Sequence, residues 1–552
     1  MTRPSRREFL QAAVTAGAAV TLMPRLARAA DARIEVLAAE PIARIAPEIY
    51  GHFVEHLGGV VYDGVWVGEG SKVENVGGLR KALVDHMRRL PAAVIRWPGG
   101  CFADSYDWRD GVGPREKRAR RTNFWAGEMG KAPDGPWKYD PNAFGTNEFT
   151  RFCRLAGMQP YLAANLRSLP ARDFYQWVEY CNSPAGSTSL AELRAAGGEK
   201  DALAVRYWGV GNESWGCGGN FTPEEYATEY RRFTAWVPGF GVKLAFVGSG
   251  PSSGEIAWTS RFLAKLAEKG EGQLRGLWGL GLHHYSWNVS RGRTRDWNEG
   301  KGDAVTFDLD EWYALLDEAD KMDDLIRRHW DAMGEVDRAH HVKLAVDEWG
   351  AWYKPGTEVA PSHLLGQQST MRDALLAGLT LDIFHRHADK VAMANVAQLV
   401  NCLQSLFLAR EDRFVLTPTF HVFEMYAPHA GAQAVRTEFS APRLSYDRVA
   451  GKGSLWGLGG SASVKDRTLT LTVVNPHASE PRETEIAVRG PRVSSARVRT
   501  LAADDVHAHN SFDRPGAVVP ADGVAASVRD GLLVHRFPPA SVTRLTFDLA
   551  GA

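Results

Sequence analysis

LAVRYWGVGNESW, from Leu203 to Trp215, decides how the rest of the chain is interpreted. A short apolar, β-branched run ends abruptly in Gly-Asn-Glu, which is typical of a buried strand followed by a glycine turn. Such a strand would present Asn212 and Glu213 at its carboxyl end. A second stretch of the same shape, HVKLAVDEWG from His341 to Gly350, ends in an acidic pair whose second member is Glu348. Two such strands are what a pair of acids at the mouth of a parallel barrel requires.

Strand-like runs and amphipathic helical segments alternate across residues 48–428. This alternation, repeated eight times, predicts an α/β fold of the (β/α)8 TIM barrel type. The predicted strands are Ile49–Glu55, Ala93–Trp97, Pro160–Asn165, Ala204–Gly211, Lys243–Gly248, Gly279–His284, Lys343–Glu348 and Ala392–Leu399. The predicted helical segments include Gly78–Leu90, Pro223–Trp236, Trp258–Lys269, Leu309–Trp330 and His363–His387.

The sequence pattern changes past residue 428, where helical periodicity fades and short alternating strand-like segments separated by turn residues begin. We therefore predict a C-terminal β-sandwich domain, jelly-roll-like, over residues 429–552. Residues 30–47 contain one extended segment, which we expect to join that domain because an isolated strand has nowhere else to bury its apolar face. The predicted sandwich strands are Ser454–Gly459, Thr468–Val474, Glu483–Val488, Ala496–Leu501, Leu532–Phe537 and Val542–Phe547.

Residues 1–29 have the pattern of a twin-arginine signal peptide. SRREFL, from Ser5 to Leu10, opens a moderately apolar stretch, and Ala27-Arg28-Ala29 offers small residues for cleavage. The competing interpretation is a membrane anchor, but the stretch is shorter than the ~20 residues that span a bilayer. We predict export by the twin-arginine route, to the periplasm or beyond, without stable membrane insertion.

The charge balance gives no reason to expect a nucleic-acid partner, because 65 basic residues match 65 acidic ones. A basic run, Lys117–Arg121, does lie in the unusually long connection from Gly111 to Gly145. We interpret this connection as a lid or wall over the barrel mouth, with a solvated loop as the alternative. The motifs also lead us to expect no cofactor and no metal. Dinucleotide, phosphate-loop, serine-hydrolase and zinc-protease motifs are missing, and His283-His284 lacks a metal-ligand spacing.

The five cysteines are odd in number and match no zinc pattern, so we expect mostly free thiols. They are Cys101, Cys153, Cys181, Cys217 and Cys402.

Glycosidic cleavage with retention needs two carboxyl groups roughly 5–5.5 Å apart, one as acid/base and one as nucleophile. By our strand count Glu213 ends the fourth strand and Glu348 ends the seventh, on opposite sides of one mouth. We assign Glu213 as the acid/base and Glu348 as the nucleophile, with Arg96 and Tyr285 expected to stabilise the ionised nucleophile. For either acid alone, a satisfied strand-end carboxylate is the competing interpretation.

Other polar residues at strand ends would complete a sugar pocket. Asn212 can donate its amide to a sugar hydroxyl, although an Asx turn is the alternative. Glu55 could accept sugar hydroxyls, although an ion pair with Arg96 is the alternative. We also expect His283 and Gln398, which end the sixth and eighth strands, to contact the substrate.

These stretches together resemble glycoside hydrolase family 51, the α-L-arabinofuranosidases. The resemblance depends on YGHFVEHLGG, RWPGGCFADSYDWRDGVGP, FGTNEF, GNESWGCGG, HHYSW, VDEWGAWY, MANVAQLVN and TPTFHVFEMYAPH, in that order. It implies a retaining exo-acting enzyme, with Glu213 as acid/base, Glu348 as nucleophile, and the furanose pocket lined by Glu55, Arg96, Cys101, Asn212, Tyr285 and Gln398. Cys101 departs from the pattern, because some members have Asn there.

The leading hypothesis is release of terminal α-L-arabinofuranosyl residues from arabinan, arabinoxylan or their oligosaccharides. An endo-glucanase or β-xylosidase on the same scaffold is the nearest alternative, and a non-catalytic carbohydrate-binding protein is a further one. The long connection after the second strand favours a closed pocket over an open cleft. The resemblance also allows a homo-oligomer.

Overall fold

The computed structural model describes residues 31–129, 132, 134–287, 299–356, 358–448, 451–523, 526–528 and 531–549. The predicted signal peptide, residues 1–29, lies outside the described residues. Among the helices of the described ranges, none combines the length and the apolar character that crossing a bilayer demands.

Eight parallel strands close into a barrel in which each strand pairs with its neighbours in chain order and the eighth pairs with the first. All eight were predicted, and the fold class is confirmed. Their bounds are Gly51–Phe53, Val94–Trp97, Gln159–Ala164, Tyr207–Val210, Ala245–Gly248, Gly279–Ser286, Lys343–Ala351 and Val391–Val396. We refer to them as barrel strands 1 to 8.

The barrel strands lack strict polar alternation because both of their faces are buried, as expected for a parallel sheet covered by helices. Every residue of barrel strand 4, YWGV, is buried. Inward-facing side chains from different strands fill the barrel interior as one apolar cluster, so the barrel is a packed core and its functional groups must lie at the strand ends. The buried members of this cluster are Val94, Tyr161, Tyr207, Ala245, Val247, Ala345 and Met393.

Helices surround the barrel, and several begin at the capping signals that the sequence carries. The longest, Leu309–Gly334, starts after Asp308, whose carboxylate forms a capping box with Glu311. The predicted helix His363–His387 begins only at Met371, because Thr370 and Asp373 form a capping box there. The α-helices are Lys81–Met87, Thr146–Ala156, Ala171–Asn182, Ser189–Ala196, Pro223–Thr234, Ile256–Ala267, Leu309–Gly334, Met371–Arg386 and Pro418–Tyr426.

The C-terminal domain is a ten-stranded sheet that includes the N-terminal strand, as predicted. Ala32–Arg44 pairs antiparallel with Gln433–Ser440 and parallel with Arg482–Arg489. Apolar residues from strands near both ends of the sheet share one buried cluster, so the sheet folds over itself. In sheet order the strands are Ala521–Asp522, Val493–Leu501, Ser541–Leu549, Thr468–Asn475, Gly459–Lys465, Gln433–Ser440, Ala32–Arg44, Arg482–Arg489 and Leu532–Phe537, with Ala526–Ser527 also paired to Val493–Leu501.

One predicted sandwich strand is wrong. The segment Ser454–Gly459 is divided, because the strand Gly451–Leu455 ends before Trp456 and a new strand begins at Gly459. The first of these belongs to a separate hairpin with Leu444–Arg448. Three further two-stranded sheets decorate the barrel: Asn75–Val76 with Leu79–Arg80, Arg121–Thr122 with Tyr139–Asp140, and Phe407–Arg410 with Arg413–Leu416.

Candidate active site

Glu213 stands on a sharp turn just past barrel strand 4. The turn is made by Gly211 and Glu213, whose φ angles are 81° and 39°. A left-handed conformation at a glutamate costs on the order of 1 kcal/mol. The backbone N–H groups of Gly216 and Gly218 donate to the Glu213 carbonyl at 2.7 and 3.1 Å, which fixes the loop that follows. The Glu213 side chain remains 20% exposed.

Glu348 lies within barrel strand 7 and is almost enclosed, with 7% of its side chain exposed. Arg96, at the end of barrel strand 2, donates from a terminal guanidinium nitrogen to Glu348 Oε1 at 2.6 Å. The Tyr285 hydroxyl donates to Glu348 Oε2 at 2.8 Å. Both predicted donors are therefore in contact with this carboxylate.

The two glutamates meet over one point of the barrel mouth. One carboxylate oxygen of each and a nitrogen of His283 all lie within 4.8 Å of one another. An approach this close is in keeping with the roughly 5–5.5 Å between the carboxyl groups of a retaining pair and is shorter than the roughly 6.5–9.5 Å of an inverting pair.

His283 lies between three carboxylates. Its Nδ1 is 2.8 Å from Glu213 Oε1 and 3.5 Å from Glu348 Oε2, and its Nε2 is 3.2 Å from Asp347 Oδ1. Burial alone would lower the pKa of His283, but the three carboxylates raise it to about 10. His283 is therefore a cation at neutral pH.

Asp347 contacts the His283 cation through its Oδ1. Burial would raise the pKa of Asp347, but Arg96 and His283 bring it below its ordinary value. Its second oxygen accepts a hydrogen bond from the Tyr161 hydroxyl at 3.1 Å. Asp347 is thus an ionised group that holds the imidazole and guanidinium in place.

Asn212 contacts Arg96, Asp104 and Cys217. Its side-chain oxygen accepts from Arg96 at 2.6 Å, so the amide is oriented by a guanidinium rather than by a local Asx turn. Its backbone N–H donates to Asp104 Oδ2 at 3.0 Å. Its amide nitrogen is 3.8 Å from Cys217 Sγ, a weak acceptor, and so can donate to a ligand hydroxyl.

Glu55 is fully buried beside the pair and is held by four donors. Its Oε1 accepts from the backbone N–H groups of Gly100 and Phe102 and from the Trp125 indole at 3.0–3.2 Å. Its Oε2 accepts from the Gln398 amide at 3.2 Å. Burial raises the pKa of Glu55 to about 7. The alternative of a direct ion pair with Arg96 is wrong, because that guanidinium is bonded to Glu348 and Asn212 instead.

The glycine pair after barrel strand 2 lets backbone pass close to the acids. A Cβ at Gly99 would lie 2.5 Å from Glu55 Cγ, and a Cβ at Gly100 would lie 3.0 Å from Glu348 Oε1. Any side chain there would displace a carboxylate, which accounts for both glycines.

Cys101 is not a free thiol. It forms a disulfide with Cys217, whereas the other three cysteines are buried and free. The pairing was not predicted, because the two residues are 116 positions apart and only the barrel brings the loops after strands 2 and 4 together. The disulfide lies against the site, with Cys217 Sγ 3.7 Å from Glu213 Oε2.

Asp104 and Trp125 were not among the predicted site residues. Burial raises the pKa of Asp104 to about 7, and its carboxylate accepts from the backbone N–H groups of Asn212, Leu166 and Arg167. Asp104 falls within RWPGGCFADSYDW, so the motif indicated its neighbourhood. Trp125 comes from the long connection, which therefore forms a wall of the site as predicted.

Two arginines of the basic run in that connection form ion pairs within the protein. Arg118 pairs with Glu148 at 3.0 Å and Arg121 pairs with Asp110 at 2.8 Å. These ion pairs hold the connection against the barrel.

A cavity of about 720 Å³ opens from Glu213. Its aromatic walls are Trp215, Tyr285 and Trp352, and its far side is the helix Leu309–Gly334. Glu213 thus faces an open space, which is where a group leaving the sugar would have to lie.

Glu213, His283 and Glu348 are close enough to hold a metal ion. Arg96 already neutralises Glu348, however, and both imidazole nitrogens contact carboxylates. A cationic guanidinium and a cationic imidazole disfavour a further cation, so the donor set does not fit a metal.

Comparison with known proteins agrees with this geometry. Residues 86–238 match the family described as the alpha-L-arabinofuranosidase 1 domain, and residues 347–541 match the alpha-L-arabinofuranosidase C-terminal domain. An intracellular exo-alpha-L-arabinofuranosidase of Bacteroides ovatus is 35% identical over 91% of this chain and 92% of its own length.

Solved structures give the same result. The GH51 arabinofuranosidase of Xanthomonas axonopodis pv. citri superposes with a TM-score of 0.85 at 35% identity, over 94% of this chain and 100% of that one. An alpha-L-arabinofuranosidase of Thermotoga maritima, solved with arabinose, gives a TM-score of 0.75 at 27% identity over the same shares.

The prediction of export is contradicted by these comparisons. Relatives from Bacteroides ovatus, Streptomyces lividans and Bacillus subtilis are all named intracellular enzymes. Two arginines before an apolar run form a short pattern, which is much less specific than a match over most of the chain.

One assignment follows from the closed eight-stranded barrel, the two facing glutamates and the match to these relatives over nine-tenths of the chain. The chain belongs to glycoside hydrolase family 51, the α-L-arabinofuranosidases, and is a glycoside hydrolase.

Proposed function

We propose that the protein is a retaining, exo-acting α-L-arabinofuranosidase that works by double displacement, with Glu348 as nucleophile and Glu213 as acid/base. The observation that carries the proposal is the meeting of the two carboxylates, within 4.8 Å, in different surroundings. Glu348 is enclosed by a guanidinium and a phenol, whereas Glu213 faces the cavity.

The charges of the site support this division of roles. Three carboxyl groups, those of Glu213, Asp347 and Glu348, face two cations, Arg96 and His283. Arg96 contacts Asp347 and Glu348 but not Glu213, and Glu213 is the most exposed of the three carboxyl groups, which suits a residue that must reach a leaving group.

In the first step, Glu348 attacks the anomeric carbon while Glu213 protonates the departing glycosidic oxygen. The product is a covalent glycosyl–enzyme ester on Glu348. In the second step, Glu213 removes a proton from a water molecule that attacks the same carbon, and Glu348 leaves as a carboxylate. Configuration is inverted twice and therefore retained.

Neighbouring groups would hold the furanose ring. The Asn212 amide nitrogen can donate to a hydroxyl next to the anomeric carbon, an interaction that strengthens as positive charge develops there. Glu55 and Gln398, which are bonded to each other, can accept and donate to hydroxyls farther along the ring. Burial of this end of the pocket favours a terminal sugar over an internal one.

The substrates that we propose are arabinan, arabinoxylan and their oligosaccharides. Relatives from Streptomyces lividans and Bacillus subtilis are named exo-alpha-(1->5)-L-arabinofuranosidases. Arabinan, whose main chain carries that linkage, is therefore the first polymer to assay.

The test is hydrolysis of nitrophenyl α-L-arabinofuranoside, followed by NMR during the first minutes. We expect the α-anomer of arabinose to form first, before mutarotation. Nitrophenyl xyloside and cellulosic substrates are the comparison, because they identify the alternative activities. Initial formation of the β-anomer would overturn double displacement, and faster turnover of the xyloside or of cellulose would overturn the substrate assignment.

A further inference from the structure

A second cavity, of about 470 Å³, lies at the seam between the barrel and the C-terminal domain. One wall is the helix Leu309–Gly334, which contributes Asp320, Asp323 and Arg327. The opposite wall belongs to the C-terminal domain and contains Phe439, Trp456, Leu458, Gly459 and Gly460. We call this cavity the seam pocket. No residue of the proposed mechanism lines it.

Trp456 gives the seam pocket a fixed aromatic surface. Its indole N–H donates to Asp320 Oδ2 at 3.0 Å, and the Arg443 guanidinium lies over its ring at 4.4 Å from the centroid. The side chain is nevertheless 48% exposed. A tryptophan anchored at its nitrogen and at one face, but open elsewhere, is a preorganised platform for an amphipathic ligand.

The polar groups around Trp456 are also held in place. Arg386 donates to the Gly460 carbonyl at 3.0 Å, and Asp323 accepts from Arg327 and His387, both at 2.9 Å. Five carboxylates and three basic side chains line the seam pocket. An excess of negative charge disfavours anions such as phosphates or uronic acids. An apolar platform among fixed donors and acceptors suits an uncharged, polyhydroxylated ligand.

The seam pocket adjoins the cavity that begins at Glu213. Lys321 and Asp324, on the helix Leu309–Gly334, line both. The two spaces are therefore separated by about the 10–12 Å diameter of one helix. A chain a few sugar units long can reach across this helix.

We propose that the seam pocket is an accessory binding site for the uncharged main chain of an arabinofuranosyl-bearing polysaccharide, with Trp456 as its platform. The proposal depends on the proposed function for the identity of the polymer. A terminal arabinose bound at Glu348 would leave the rest of the chain in the cavity at Glu213, from which it crosses the helix to Trp456. The site increases affinity for polymers without contacting the reacting atoms.

The test compares Trp456→Ala with the matched control Trp236→Ala. Trp236 is 98% exposed and lines neither cavity. For Trp456→Ala we expect the KM for arabinan or neutral arabinoxylan to rise about three- to tenfold. We expect kcat, and all parameters for nitrophenyl arabinofuranoside, to stay at the wild-type level. Trp456→Phe, which keeps an aromatic ring, should restore most of the polymer affinity. Equal polymer KM values for Trp456→Ala and Trp236→Ala would overturn the proposal.

Affinity electrophoresis in gels that contain arabinan or neutral arabinoxylan makes the result independent of turnover. We expect the polysaccharide to retard the wild type and Trp456→Phe more than Trp456→Ala. If nitrophenyl arabinofuranoside is not hydrolysed, the proposed function fails while this measurement still tests the seam pocket. Equal retardation of all variants, or stronger retardation by polygalacturonate than by the neutral polymers, would exclude the site as we describe it.

Discussion

The two carboxylates of the site are chemically identical, but their supports differ. Glu348 belongs to a barrel strand, and its two carboxylate oxygens accept hydrogen bonds from Arg96 and Tyr285 at 2.6 and 2.8 Å. Glu213 stands on a strained turn beyond its strand. The turn is held by two backbone hydrogen bonds to the Glu213 carbonyl and by the disulfide between Cys101 and Cys217. Its carboxylate has His283 as its main polar contact and otherwise faces the cavity.

This difference fits the two roles that we propose for one residue type. A nucleophile must stay ionised and hold its position to fractions of an ångström, and a strand with charged neighbours provides both conditions. An acid/base must gain and lose a proton and reach a leaving group, so a more open position on a loop suits it.

The largest expected effect comes from removing the nucleophile. Glu348→Ala should reduce kcat by at least about 10⁴-fold, or about 5 kcal/mol of transition-state stabilisation, because no covalent intermediate can form. Added azide should restore part of the turnover of nitrophenyl arabinofuranoside and give a glycosyl azide of inverted configuration. Glu335→Ala, at an exposed glutamate, is the control. Full activity of Glu348→Ala would contradict our assignment.

Removing the acid/base should have a graded effect. Glu213→Ala should lower kcat by about 10²- to 10⁴-fold for arabino-oligosaccharides, since their leaving groups need protonation. Nitrophenyl arabinofuranoside should lose much less in its first step, because nitrophenolate departs without a proton. The measurement is kcat/KM over leaving groups of different acidity. Equal losses for all of them would rule out the acid role.

His283 should make stability depend on alkaline pH. Its pKa is raised to about 10 in the folded chain, against an ordinary value near 6.5, so the folded state holds this proton more tightly. The contribution is therefore complete below about pH 6.5 and is lost as pH rises through 10. We expect the free energy of unfolding to fall by a few kcal/mol over that window, since one pKa unit corresponds to about 1.4 kcal/mol.

Urea denaturation of wild type and His283→Gln between pH 6 and 10 measures this slope. The wild type should lose stability as pH rises, and the variant should lose clearly less. Parallel slopes would mean that His283 is not the cation of the site.

The smallest expected effect concerns the support of Glu213. The double variant Cys101→Ser/Cys217→Ser should lower kcat/KM for arabino-oligosaccharides by about tenfold, or ~1.4 kcal/mol, because the loop that carries the acid/base loses its brace. Trapping of the glycosyl–enzyme on Glu348 by a fluorinated sugar should change less. Cys153→Ala, at a buried free thiol, is the control. An unchanged kcat/KM would show that the turn at Glu213 is held without the disulfide.

The barrel could be predicted because its strands are continuous apolar runs that end in recognisable turns, and all eight were. The long helix was also predicted to begin at Leu309, where Asp308 and Glu311 form a capping box. The C-terminal domain was harder, because short alternating strands have weak signals. Ser454–Gly459 was predicted as one strand but divides at Trp456, and that division exposes the platform of the seam pocket.

Sequence alone determined where the two glutamates lie, since each follows a buried apolar run and so had to emerge at the carboxyl end of a barrel strand. It also indicated the Arg96 and Tyr285 donors, which lie near the ends of barrel strands 2 and 6. Only the tertiary structure decided the Cys101–Cys217 bond, the place of Trp125 above Glu55, and the cation at His283. The physical reason is the distance along the chain over which each interaction acts. Local periodicity specifies where a strand ends. Disulfide pairing, side-chain burial and the charge of a histidine depend on groups that are distant in the chain and meet only after the barrel has closed.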